Sequence, residues 1–93
     1  MKYSYEDEFL VKDENLEELE NEALNEVINK LNITDEYFVE KLTKAKVYMN
    51  IAKLRLESDG MKEKFDAYKN EFDYYYKLAT KKSDVFNIAV LRG

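Results

Sequence analysis

Two apolar stripes in helical register, separated by a single short break, limit this chain's fold more than any other feature. Phe38, Leu42, Ala45, Met49, Ala52 and Leu56 recur at spacings of four and three, and after Ser58-Asp59-Gly60 so do Met61, Phe65, Tyr68, Phe72, Tyr75 and Ala79. Such spacing gathers each set on one face of a helix. A break this short leaves the second helix little choice but to fold back along the first. The expectation is a long antiparallel hairpin of helices over 35–57 and 61–82, with Gly60 free to take the left-handed conformation that ends the first of them.

The local signals at the hairpin's entrance agree. Thr34 is a suitable N-cap, Asp35 and Glu36 suit the positive end of a helix, and Ile33 can clasp Phe38 across the cap as a hydrophobic staple. A helix from Asp35 to Glu57 would be about 35 Å long at 1.5 Å per residue. At the far end of the second helix, Lys77, Lys81 and Lys82 suit its negative pole.

Upstream, Leu16, Leu19, Ala23, Val27 and Leu31, widened by Leu24 and Ile28, make one stripe of an acidic helix over 13–32 whose other face is almost wholly Glu and Asn. Asp13 can accept the free amide hydrogens of its first turn, and Glu14, Glu17 and Glu18 lie near its positive end. Residues 1–12 alternate weakly, with Tyr3 and Tyr5 on one side, and read as an arm, extended or with half a turn of helix. The last stretch, 83–93, changes character: Phe86, Ile88 and Val90 alternate with Asn87 and Ala89, as in a strand or extended tail. A lone strand needs a partner for its backbone groups, so this tail either wraps the helices or adds to another chain. The class is therefore all-α, a three-helix arrangement built on the hairpin, with an extended N-terminal arm and a strand-like C-terminal tail, in one domain spanning 1–93.

Charge is unevenly spread. Residues 1–40 hold thirteen acids and three bases, a net of −10, whereas residues 41–93 hold seven acids and twelve bases, a net of +5, which together give the total of −5. Two arrangements account for this: the acidic helix lies across the basic hairpin of its own chain, or acidic and basic sides meet between copies, head to tail. On the second arrangement Glu17, Glu18 and Glu22 would face Lys44, Lys53 and Arg55 of a neighbour. Tyr74 joins them as a contact candidate because, of Tyr74-Tyr75-Tyr76, it turns outward from the stripe, and tyrosine suits interfaces.

Nothing argues for chemistry. Zero Cys and zero His remove the thiolate and imidazole that most metal sites and most general bases use. No glycine-rich phosphate loop is present, and paired carboxylates such as Glu17 with Glu18 or Asp35 with Glu36 suit a solvated helix face. The expectation is a chain that is not an enzyme, with no catalytic residue, no metal and no cofactor. No apolar run approaches the roughly 20 residues of a membrane span, and the acidic opening is unlike a signal peptide, so no membrane role and a soluble, intracellular location are expected. A domain of this size buries only roughly 60–65% of its unfolded surface, so partners would help to stabilise it.

The order of these parts resembles a known family. An acidic first helix, a long second helix centred on Ala45-Lys46-Val47-Tyr48-Met49-Asn50-Ile51-Ala52, a short turn, and a third helix with Phe65-Asp66-Ala67-Tyr68-Lys69-Asn70-Glu71-Phe72 before an apolar tail look like the small head–tail connector, or adaptor, proteins of tailed bacteriophages. The resemblance implies a structural virion protein of the neck, made in the host cytoplasm. Copies would form a homo-oligomeric ring, commonly of twelve, beneath the portal protein, extending the channel for DNA that passes only as cargo, and would offer a platform to the next neck or tail protein. A terminal segment often reaches onto the portal in that family; the matching element here is 84–92, with Val85, Phe86, Ile88, Val90, Leu91 and Arg92 as its contacts. Family members are often longer, with a further loop or helix. Two alternatives stay open from the residues: a small helical regulator that binds a protein partner, and a DNA-binding protein using the basic residues Lys41, Lys44, Lys46, Lys53 and Arg55 of the hairpin.

Overall fold

The computed structural model describes the backbone of residues 2–12 and 14–92 and the side chains of those up to 81. The chain is all-α, and no strand occurs among the described residues. In order, a short helix α1 (Glu8–Val11) is followed by α2 (Leu16–Asn25), which runs directly into a π-helical turn (Glu26–Lys30), then α3 (Glu36–Leu54) and α4 (Met61–Arg92). No helix among the described residues is long and apolar enough to cross a membrane.

The helix boundaries follow from capping side chains and from backbone turns. Asp7 caps α1 by accepting from the Leu10 N–H, so the end of the expected arm is a helical turn and not extended chain. Asn15 caps α2, accepting from the Glu18 N–H at 3.3 Å, whereas the expected cap, Asp13, lies outside the described residues. The π turn ends where Asn32 takes φ 59°, a left-handed conformation that asparagine tolerates better than most residues. For α3 the cap is Asp35, one residue later than the expected Thr34; its carboxylate accepts from the Tyr37 N–H at 3.0 Å. Ile33 and Phe38 pack in the same cluster across that cap.

Helix α3 ends at Leu54, earlier than the expected Glu57, because Arg55 leaves helical geometry at φ −122°, ψ 26°. Leu56 therefore falls in the turn, 45% exposed, and not in the core stripe. Gly60, at φ 81°, completes the reversal into α4. The extended tail expected over 83–93 is corrected by the structure: α4 continues unbroken to Arg92. No Gly or Pro occurs between Met61 and Arg92, and lengthening an existing helix needs no new nucleus, whereas β-branched residues lower helix propensity only by tenths of a kcal/mol each. A short alternating apolar run such as Phe86 to Val90 reads equally as strand or buried helix.

Helix α3 is the centre of the molecule. Beyond its expected stripe, Val39, Thr43, Val47, Tyr48 and Ile51 are also buried, so the helix is covered nearly all round. Leu10, Ala23, Val47, Tyr48, Ile51, Ala52 and Met61 form one cluster, which joins the arm, α2, α3 and α4; Val27, Ile33, Val39 and Leu42 form another, with Phe72, Tyr75 and Ala79 against it. Contacts between α3 and α4 run in opposite senses along the two helices: Tyr48 meets Tyr68, Lys46 meets Phe72, and Tyr37 meets Tyr75. Ile28, expected to widen the α2 stripe, lies in the π turn and is 39% exposed, while Glu20 occupies a buried place on that helix instead.

Candidate functional site

Two features stand out among the described side chains: a polar clasp that holds the N-terminal arm, and an aromatic surface beside the first turns of α3. The clasp has two parts. At one, Glu20 of α2, only 2% exposed, accepts hydrogen bonds from the Lys2 N–H, from the Tyr3 N–H at 3.0 Å and from the Tyr5 hydroxyl at 2.8 Å. Burial alone would raise its pKa, but the hydrogen bonds from Lys2, Tyr3 and Tyr5 outweigh burial and hold the carboxyl below the ordinary value of 4.5. At the other, Asp7 Oδ2 accepts from Lys64 Nζ and from the Tyr68 hydroxyl, both at 2.7 Å and both on α4. Again burial opposes ionisation, and the bonds from Lys64, Tyr68 and Leu10 prevail, lowering the Asp7 pKa.

Tyrosines tie the two parts together. Tyr5 meets Tyr48 edge-on at 5.6 Å between ring centroids, and Tyr48 stacks on Tyr68 at 4.4 Å, so one column of rings runs from the arm through α3 to α4. The Tyr48 hydroxyl accepts from the Asp7 N–H at 3.3 Å, and Lys44 pairs with Glu6 at 3.2 Å. An open pocket of about 330 Å³ lies here, lined by Glu6, Asp7, Lys41, Lys44, Tyr48, Tyr68 and Glu71. Burial, then the Asp7 bond and charge, push the Tyr68 pKa upward; burial and Glu20 do the same for Tyr5, while the carboxylates are held ionised. No group of three or more His, Cys, Asp or Glu among the described residues could hold a metal ion.

The aromatic surface is built on Tyr37, 56% exposed, and Tyr74, 59% exposed, with Tyr75 between them at 6.2 Å and 5.1 Å. Lys41 Nζ lies 5.7 Å from the Tyr37 ring centre and 5.9 Å from that of Tyr75. Leu78, one turn beyond Tyr74 on α4, is 37% exposed.

The residues expected to make contacts between subunits divide into two groups. Lys44 and Arg55 are engaged inside the chain, with Glu6 and Glu14; Lys46 likewise pairs with Glu26 at 3.3 Å. With Lys64 on Asp7, four ion pairs join the acidic first third to the basic helices of the same chain. Glu17, Glu18, Glu22, Lys53 and Tyr74 are exposed, and none of these charges is in an ion pair among the described residues. Glu17, Glu18 and Glu22 line a shallow acidic groove with Asn15 and Asn21. The tail contacts Val85, Phe86, Ile88, Val90, Leu91 and Arg92 have side chains outside the described residues.

Sequence reasoning missed the clasp. A glutamate at position 20 on the edge of an apolar stripe was one available signal, and Asp7, a residue type that caps helices, just ahead of the apolar Phe9-Leu10-Val11 was another. Comparison with protein-family models, with curated proteins and with solved structures finds no match to this chain.

Proposed function

We propose that this chain is a structural building block that acts by docking to other protein chains, without catalysis or a cofactor, and we read it as a subunit of a head–tail adaptor ring in a bacteriophage neck. The observation that carries the docking reading is the unequal length of the paired helices. Helix α3 begins at Glu36, and residues near its start pack with Phe72, Tyr75 and Ala79, while α4 runs on for thirteen residues past Ala79. At 1.5 Å per residue that is about 20 Å of helix, and the exposed Tyr37, Tyr74 and Leu78 flank its root. In this reading the hairpin is the body of the subunit and the last turns of α4 replace the expected extended tail as the element offered to the portal. Neighbouring copies meet through Glu17, Glu18 and Glu22 on one side and Lys53 with the Lys41 and Tyr74 surface on the other. The placement in a phage neck rests on the resemblance in sequence organisation.

The internal ion pairs of Lys44, Lys46 and Arg55 favour this over a DNA-binding role, because cations already matched by Glu6, Glu26 and Glu14 offer phosphate little. The test is solution mass by light scattering, for the full chain and for one ending at Lys82, over a range of salt, with and without portal protein or duplex DNA. Concentration-dependent rings and portal binding that the shortened chain loses are expected. A monomer that stays monomeric at every concentration and ignores the portal would overturn the reading.

A further inference from the structure

We propose that a pocket between the N-terminal arm, the π turn and the first turns of α3 receives an arginine side chain presented by a partner protein. The pocket has a volume of about 450 Å³ and shares no lining residue with the pocket at the clasp or with the acidic groove on α2. Its apolar lining is Ile28, 39% exposed, with the buried Ile33 and Val39. Ile28 is available because the Leu31 N–H reaches back five residues to the Glu26 carbonyl at 3.0 Å, and this wider π turn takes Ile28 out of the α2 stripe. On the arm side the wall is Tyr3, anchored by the bond from its N–H to Glu20.

The charge of the pocket identifies its occupant. Glu36 and Glu40, one turn apart on α3, line it and are exposed, and neither is in an ion pair among the described residues. Lys2 is the only cation of the lining, and its ammonium lies 5.7 Å from the Tyr3 ring centre and in no ion pair with either carboxylate. Negative charge is thus in excess, and it is felt across the pocket: after burial, the charges of Glu40, Glu20 and Glu36 raise the Tyr3 pKa. An anion would be repelled here, and a wholly apolar ligand would take the carboxylates out of water without a partner. A cation on an apolar stem meets both demands. Arginine suits the place better than lysine, because its guanidinium is weakly hydrated, has donors enough for two carboxylates and stacks on an aromatic ring, while its methylenes rest on the isoleucines.

This site goes beyond the adaptor reading and does not depend on it, since a chain that stays monomeric offers the same pocket. The test titrates the full isotope-labelled chain with the blocked peptide acetyl-Gly-Ala-Arg-Ala-Gly-amide and follows amide shifts by NMR. Saturable shifts centred on residues 2–3, 28–34 and 36–40 are expected. Citrulline, a neutral isostere, in place of the peptide's arginine should weaken binding about tenfold, and so should Glu36→Gln combined with Glu40→Gln, both at exposed positions. Glu17→Gln combined with Glu18→Gln, in the separate acidic groove, should leave binding unchanged. No saturable shift, equal binding of the citrulline peptide, or undiminished binding by the chain altered at Glu36 and Glu40 overturns the proposal. Weakening by the changes at Glu17 and Glu18 would mark general attraction to an acidic chain, and tighter binding of spermidine at the same amides would mark a polyamine site; either overturns it as well.

Discussion

Thr43 carries the one buried side-chain polar atom without a hydrogen-bond partner among the described residues, a hydroxyl in a residue that is 0% exposed. A hydroxyl removed from water without compensation costs on the order of 1–3 kcal/mol, and valine has nearly the same shape. Thr43→Val is therefore expected to stabilise the protein by about 1 kcal/mol, seen as a higher urea midpoint with an unchanged slope; a lower midpoint would show that the hydroxyl is satisfied in solution. Nothing in the sequence separates Thr43 from a solvated threonine, because it sits off the stripe that periodicity picks out. It is buried because α3 is covered nearly all round by elements distant from it in sequence. The partners of Glu20 were illegible for the same reason: its place beside the α2 stripe is visible in the sequence, but only the fold brings the N–H groups of Lys2 and Tyr3 to it.

At the level of elements, the helical class was legible because the stripes of four and three around Ser58-Asp59-Gly60 are a local property of the chain. Gly60 shows how local that information is. Its φ of 81° suits glycine, and a Cβ built there would meet nothing within 4 Å, so replacement would cost only backbone strain. Gly60→Ala is expected to lower stability by about 1–2 kcal/mol, and Gly60→Asn by less, since asparagine tolerates the left-handed region. Equal losses for both variants in thermal unfolding would mean that the turn opens before the helices part. Where elements end was harder to read. The end of α3 at Leu54 depends on Arg55, whose side chain reaches Glu14, 41 residues away. The continuation of α4 was missed for a different reason: alternation over so few residues does not distinguish strand from helix, and the absence of any Gly or Pro between Met61 and Arg92 is the stronger fact.

For the whole molecule, the two-ended charge becomes a fastening. Glu6, Asp7 and Glu20 all have pKa values below their ordinary ones, Glu6 through its Lys44 bond and the other two by hydrogen bonding that overcomes burial. A carboxylate whose pKa is lower folded than unfolded stabilises the fold fully above the unfolded value and loses that contribution as pH falls through the folded one. Stability should thus be flat from neutral pH down to about 5 and decline below 4.5, the ordinary value for Glu6 and Glu20, with amide exchange of residues 2–11 rising before that of α3. Glu20→Gln should weaken that early loss of protection and lower stability at pH 7 by about 1–3 kcal/mol. Arm amides that open only together with α3 would refute a separately fastened arm.

Helix α4, 32 residues and so about 48 Å long at 1.5 Å per residue, nearly matches the molecule's longest dimension of 52 Å. Because one uninterrupted helix sets that length, the reach of the molecule is fixed by residue count: each turn added to or removed from α4 changes it by about 5.4 Å.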